Sequence, residues 1–132
     1  CPFAAHIRKT RPRSDLPLLS APNHIIRAGI PYGPEVTSSK NANHASDPKK
    51  ERGLAFVSYQ SQIVNGFQFL QTAWANTPAF PPLKTPQPGF EPIIGANHGD
   101  TRTMTGYDPT DSSKVLTMQK DFVVSRGGEY FF

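Results

Sequence analysis

The densest set of chemically able groups lies at the start of the chain, in Cys1-Pro2-Phe3-Ala4-Ala5-His6-Ile7-Arg8-Lys9-Thr10-Arg11-Pro12-Arg13. One imidazole, His6, follows a short apolar run and precedes four cations: Arg8, Lys9, Arg11 and Arg13. A histidine that binds a metal keeps one nitrogen unprotonated and needs dry surroundings. Cations behind it can pair with carboxylates on whatever carries the metal. The same pattern also describes a solvated basic surface, the commoner fate of a lone histidine beside a basic run. A second charged group, Arg27, lies within His24-Ile25-Ile26-Arg27-Ala28-Gly29-Ile30. Burying it unpaired there would be costly, so an edge or a functional position is expected.

The elements that must carry these groups can be read from periodicity. Pro12, Pro17 and Pro22 with Ser14, Asp15 and Ser20 predict an extended loop. Residues 24–30 read as a strand stopped by Pro31 and Gly33-Pro34, with Ile25, Arg27 and Gly29 on one face. The polar stretch 37–52 is expected to be a surface loop. Residues 53–59, Gly-Leu-Ala-Phe-Val-Ser-Tyr, give the clearest strand, with Leu54, Phe56 and Ser58 on one face. Ile63, Phe67, Leu70 and Trp74 then trace one stripe of a helix, capped by Ser61 and ended by Asn76-Thr77-Pro78. The proline- and glycine-rich stretch 77–111 reads as a long loop, of a kind usually functional or wrapped around something. Phe122-Val123-Val124 and Glu129-Tyr130-Phe131-Phe132 read as short strands around a Gly127-Gly128 turn. Strands with one good helix and no β-α-β alternation predict an α+β fold with an antiparallel sheet.

Composition narrows the rest. A chain of 132 residues with 14 prolines makes at most one ordinary domain, rich in loops. No apolar run approaches the ~18 residues needed to span a bilayer. A single cysteine forms no intrachain disulfide. The net charge of +4 raises nucleic acid as a partner, but the cations are scattered and aromatics do not interleave with them, so none is expected. The chain opens inside a motif, without a starting methionine or secretory leader, and closes after a strand-like run. A carboxy-terminal part of a longer protein is expected.

The segment CPFAAHIRKTRPR is similar to the one that carries the proximal haem histidine in fungal dye-decolourising (DyP-type) haem peroxidases. The segments IIRAGIPYGPEVT, ERGLAFVSYQSQIVNGFQFLQTAWAN, FEPIIG and RGGEYFF follow in the family's order. The resemblance implies that residues 1–132 form most of the second of two ferredoxin-like domains, the one that mainly holds haem b. It makes His6 the proximal iron ligand and Arg27 the distal arginine. It makes Glu91, where relatives commonly show Asp, the partner that orients His6; a solvated glutamate is the alternative. His24, His44 and His98 match no ligand position. Leu54 and Phe56 would line the haem pocket, a role compatible with ordinary packing. Arg8, Lys9 and Arg13 are candidates for the haem propionates, and Arg11 replaces an Asn common in relatives. Tyr32 and Trp74 match residues proposed to pass electrons to the surface, although Trp74 also suits a core.

The implied activity is reduction of hydrogen peroxide and one-electron oxidation of dyes and phenols through an oxoferryl intermediate. A non-catalytic haem-binding module on the same fold is the alternative. The family's proton-shuttling Asp, in a Gly-x-x-Asp-Gly motif, does not occur in these residues and is expected in an amino-terminal half, covalent or a companion chain. A secreted, extracellular protein is implied by the resemblance alone; that no membrane is a partner is expected from the lack of a long apolar run.

Overall fold

The computed structural model describes residues 1–16, 21–42, 49, 51–119 and 121–132; His44, Lys50, Pro17 and Ser20 lie outside the described residues. In chain order the elements are helix α1 (His6–Thr10), a 3-10 turn (Ala21–Asn23), strand β1 (Ile26–Tyr32), helix α2 (Ser38–Ala42) and strand β2 (Gly53–Tyr59). Helix α3 (Phe67–Phe69) follows and continues as a π-helical stretch (Leu70–Ala75), then come strands β3 (Arg102–Met104) and β4 (Leu116–Met118). These form two compact units, one of residues Ile25–Gln60 and one of Cys1–His24 with Ser61–Phe132.

The smaller unit is built on an antiparallel ribbon of β1 and β2, paired from Ile26↔Tyr59 to Tyr32↔Gly53. Residues directly opposite in such a pair share a face. Arg27, Gly29 and Pro31 therefore share theirs with Ser58, Phe56 and Leu54. The strand runs through Pro31, where the sequence predicts a stop. A proline is tolerated where the ladder does not call on its missing N–H, and in a two-stranded ribbon each strand has an open side. Apolar groups stand exposed on both faces, with Ile26 at 77% and Leu54 at 61%. Helix α2, a little over one turn, forms within the stretch expected to be loop.

The larger unit holds the core: Ala4, Leu70, Trp74, Ala75 and Phe80 are all buried. The Trp74 ring stacks on Phe80 with centroids 5.0 Å apart and meets Phe69 edge-on at 5.3 Å. Aromatic pairs of this kind add about 0.5–1.5 kcal/mol beyond the area they bury. The predicted stripe is real, but its helix starts late. Gly66 has φ −96° and ψ −112°, outside the helical region, so the chain turns through 63–66 and becomes helical only at Phe67. Ser61 is thus not the cap. Asn76 ends the helix as expected.

Strands β3 and β4 pair as a short antiparallel hairpin, with Arg102↔Met118 and Met104↔Leu116. Sequence reading missed both, because three residues are too few to display alternation. Conversely, residues 122–124 and 129–132 form no strand. A segment of high strand propensity stays unpaired without a neighbouring strand to complete its hydrogen bonds. Among the described residues the fold is α+β with antiparallel pairing, as the sequence predicts.

Candidate functional site

His6 is the first residue of α1, and the chain before it is pinned on both sides. Phe3 N–H donates to the Thr105 carbonyl at 2.8 Å, and the N–H groups of Arg8 and Lys9 donate to the Ala5 carbonyl at 2.8 and 3.0 Å. Ala4 is fully buried, and the Thr10 hydroxyl closes back on the His6 carbonyl at 2.8 Å. The imidazole is thereby held with Nδ1 turned inward, 3.2 Å from Oε1 of Glu91, while 29% of the side chain remains exposed. Since Nδ1 itself is buried, that exposure belongs to the rest of the side chain.

Glu91 is completely buried, and its position is built by the FEPIIG turn. Its own N–H donates to the Ala75 carbonyl at 2.9 Å, where the π-helical stretch ends. Gly95 N–H closes the turn on the Glu91 carbonyl at 3.0 Å. A Cβ on Gly95 would come within 2.5 Å of that oxygen, so the turn requires glycine. The glutamate side chain curls over its own turn. Oε2 accepts from the N–H of Ile93 at 3.0 Å and from the N–H of Ile94, leaving Oε1 to face the ring. Burial pushes the Glu91 carboxyl up, but the His6 contact and the two amides outweigh it and hold the group below the usual range. The pair is therefore a carboxylate against a ring nitrogen, the arrangement that fixes the orientation and tautomer of a metal-ligating histidine.

Beside this pair lies an open hollow of about 470 Å³ lined only by apolar residues: Pro2, Ala5, Pro92, Ile93, Met104, Met118 and Phe122. The first two precede His6, the next two follow Glu91, and the remainder come from the β3–β4 hairpin and just beyond it. Volume and lining suit a flat apolar ligand. Among the described residues, no three His, Cys, Asp or Glu side chains gather into a metal cluster. A lone imidazole suits a metal whose other ligands arrive with it.

The cations after His6 meet different fates. Arg8 forks onto Asp15 through Nε and Nη2, each at 3.0 Å, and lies 5.4 Å from the Phe3 ring centroid. Arg13 is exposed. Lys9, expected among the propionate candidates, is fully buried, and its Nζ donates to the carbonyls of Trp74 at 3.2 Å and Thr77 at 2.8 Å. The phase of α1 turns it inward, where it satisfies carbonyls left over at the end of the π-helical stretch. Trp74 needs a similar correction: at 4% exposure it is a core residue, not a surface one.

Burial pushes the Lys9 ammonium down to about 8, opposed by the charge of Glu91. The unfolded chain, with Lys9 near 10.5, thus binds more protons between about pH 8 and 10.5, and stability rises with pH across that window. Replacing Lys9 by Met is expected to flatten that rise by about 2–3 kcal/mol. Chemical denaturation of both proteins at pH 7.5 and 10.5 checks it; identical slopes would show that Lys9 is not held near 8.

In the smaller unit, the strand register brings Arg27, Phe56 and Leu54 to one face of the ribbon. Gly29 makes room there: a Cβ at that position would lie 3.0 Å from the Leu54 methyls. Tyr32 stands on the opposite face, 43% exposed, with its ring over Gly53.

The family described as Dyp-type peroxidase, C-terminal, matches residues 1–80. The chain belongs to the Dyp-type peroxidase family. It is 58% identical over its whole length to a dye-decolorizing peroxidase of Exidia glandulosa, of which it spans 25%. It resembles a solved fungal DyP-type peroxidase of Auricularia auricula-judae with a TM-score of 0.86 and 52% identity, covering 97% of this chain and 30% of that one. A further solved dye-decolorizing peroxidase, whose heme pocket was engineered for asymmetric sulfoxidation, matches with a TM-score of 0.87 and 51% identity, over 97% of this chain and 30% of the other. The chain thus spans about a quarter of the length of the curated relatives it matches. The likeness supports the expected ferredoxin-like α+β class.

Dyp-type peroxidases are haem enzymes, and the fit of haem can be tested on this chain's own atoms. An inward Nδ1 facing a buried carboxylate and a side chain left 29% exposed fit an iron ligand, and the apolar hollow is lined by the chain neighbours of both residues, not by His6 or Glu91 themselves. Sequence reading found His6 and Glu91. It missed the hairpin that walls the hollow, and no residue pattern near Arg102 or Met118 announced it.

Proposed function

We propose that this chain is the haem-binding part of a longer DyP-type peroxidase that reduces hydrogen peroxide and oxidises dyes and phenols in one-electron steps. The contact of the His6 Nδ1 with the buried Glu91 carboxylate carries the proposal. With Nδ1 so engaged, Nε2 is left to coordinate the iron of haem b, which supplies the redox chemistry. Glu91 keeps the ring in one tautomer and raises its basicity. Pro92, Ile93, Met104, Met118 and Phe122 keep water from the macrocycle. Arg13, which is exposed, is the candidate cation left for its propionates; Arg8 would have to give up its fork on Asp15 or its bond to the Cys1 carbonyl to reach one. Arg27 supplies a fixed positive charge to peroxide, with Leu54 and Phe56 as its apolar neighbours on the ribbon. The proton-transferring carboxylate comes from an amino-terminal half, which also covers the apolar faces of the ribbon. Exposure of Ile26 and Tyr59, which stand opposite each other on one face, supports that partner, since adjoining exposed apolar side chains mark an interface.

The full-length protein is expected to show an intense Soret band that changes on one equivalent of peroxide and returns when a phenol is added. An unresponsive Soret band would select a haem-binding module without turnover. No Soret band would overturn the assignment of His6.

A further inference from the structure

Arg102 has no part in the chemistry above, yet it is 4% exposed and all three nitrogens of its guanidinium are engaged. Nε and Nη2 donate to Asp121 Oδ1 at 2.9 and 2.6 Å. Nη1 donates to two main-chain carbonyls, those of Glu91 at 3.1 Å and Gly95 at 2.5 Å. We propose that Arg102, anchored by Asp121, is a positioning residue that sets the place of the Glu91 carboxylate and, through it, the orientation of the His6 ring. The inference rests on the reading of His6 as a haem ligand.

The argument is one of rigid parts. Glu91 Oε2 is bonded within its own turn to the amides of Ile93 and Ile94, and Gly95 N–H closes that turn on the Glu91 carbonyl. The carboxylate therefore moves with the turn as a block. Three side-on anchors locate the block: the Glu91 N–H on the Ala75 carbonyl, Gln71 Nε2 on the Ile94 carbonyl at 2.9 Å, and the Arg102 Nη1 on the two carbonyls that open and close the turn; only the last ties it to β3. Arg102 stands on β3, whose Met104, with Met118 of β4 and Phe122, walls the hollow. One guanidinium thus joins the block that holds His6 to the wall that would hold the macrocycle. Nδ1 and Oε1 face each other at 3.2 Å without completing a well-aligned hydrogen bond, so the placement of the turn decides how strongly the two atoms engage.

The test uses the haem-loaded full-length protein in its native form and as Arg102→Met, Arg102→Lys, Glu91→Gln and the Glu91→Gln, Arg102→Met double variant. The readouts are the iron–histidine stretching frequency of the ferrous protein and the rate of haem loss. Glu91→Gln is expected to lower the frequency. Arg102→Met is expected to lower it in the same direction and to speed haem loss about tenfold. Arg102→Lys, which keeps the charge and one donor direction, should recover part of the native value. In the Glu91→Gln background, Arg102→Met should cause no further change in frequency, because the two act in series. If Glu91→Gln shifts the band and Arg102→Met does not, the inference fails while the reading of the His6–Glu91 pair stands. Equal effects of Arg102→Met with and without Glu91 would show a general structural role and overturn the inference too. A band unmoved by Glu91→Gln removes the reading of the pair and this inference with it. Should Arg102→Met not fold, Asp121→Asn loosens the anchor at a partly exposed position. Its expected result is a smaller shift of the same sign that vanishes in the Glu91→Gln background; persistence there would count against the proposal.

Discussion

Replacing His6 by Ala is expected to abolish stable haem binding by the full-length protein. Loss of a partner behind a metal ligand typically costs about 10–100-fold in metal affinity, and loss of the ligand itself should exceed that range. Among the described residues no second histidine can substitute. Of His6, His24 and His98, only His6 is set against the buried Glu91 carboxylate, and among the described residues no three His, Cys, Asp or Glu side chains gather into a metal-binding group. The change also reaches the apoprotein. Glu91 is fully buried, and its Oε1 would face the space left by the ring. A buried carboxylate deprived of its facing group is destabilising, so the His6→Ala, Glu91→Gln double variant should be more stable than His6→Ala alone. Haem titration followed at the Soret band measures the first effect, and added imidazole, small enough to fill the vacated space, should restore part of it. Native haem affinity in His6→Ala would refute the ligand assignment. Equal stability of the two variants would refute the account of Glu91.

The parts of this site that were legible in the sequence are those set by local pattern or by motif. Alternation over 53–59 placed Leu54 and Phe56 on one face, and the observed register adds Arg27 to them without a shift. His6 and Glu91 were paired through two family-like motifs, and the geometry supplies the reason a glutamate serves: its extra methylene is taken up in bonding to the following amides. What stayed illegible depends on tertiary placement. Four cations follow His6, and nothing in their order shows that Lys9 alone lies at the phase of α1 that meets the carbonyls of Trp74 and Thr77. Trp74 was readable as a stripe residue, but its stacking on Phe80 depends on a chain reversal through 77–79 that periodicity does not encode. Arg102 and Asp121 read as scattered charges in loop sequence, because a guanidinium that bonds main-chain carbonyls leaves no motif. The strands expected at 122–124 and 129–132 fail for the opposite reason: propensity is local, but pairing is not.

Replacing Arg27 by Leu is expected to slow the reaction with hydrogen peroxide by about 10²–10³-fold while leaving haem bound, the range seen when one preorganised charge-stabilising donor is lost. Cleavage of the O–O bond builds negative charge on the departing oxygen, and a guanidinium stays protonated at any working pH, so it answers that charge without itself moving a proton. Its neighbours on the same ribbon face, Phe56 and Leu54, are apolar and offer the peroxide no competing charge. Leucine keeps a side chain that strands accept at a position already exposed in β1, so the variant should fold. Arg27→Lys separates charge from geometry: it retains the positive charge but not the planar fork, and an intermediate rate is expected. Stopped-flow mixing of each variant with peroxide, at matched haem content, gives the rates. A rate for Arg27→Leu within about twofold of native would mean that the stabilising charge comes from another residue. Native behaviour in Arg27→Lys with a large loss in Arg27→Leu would mean that charge alone suffices and that the two-pronged geometry of the guanidinium is not used.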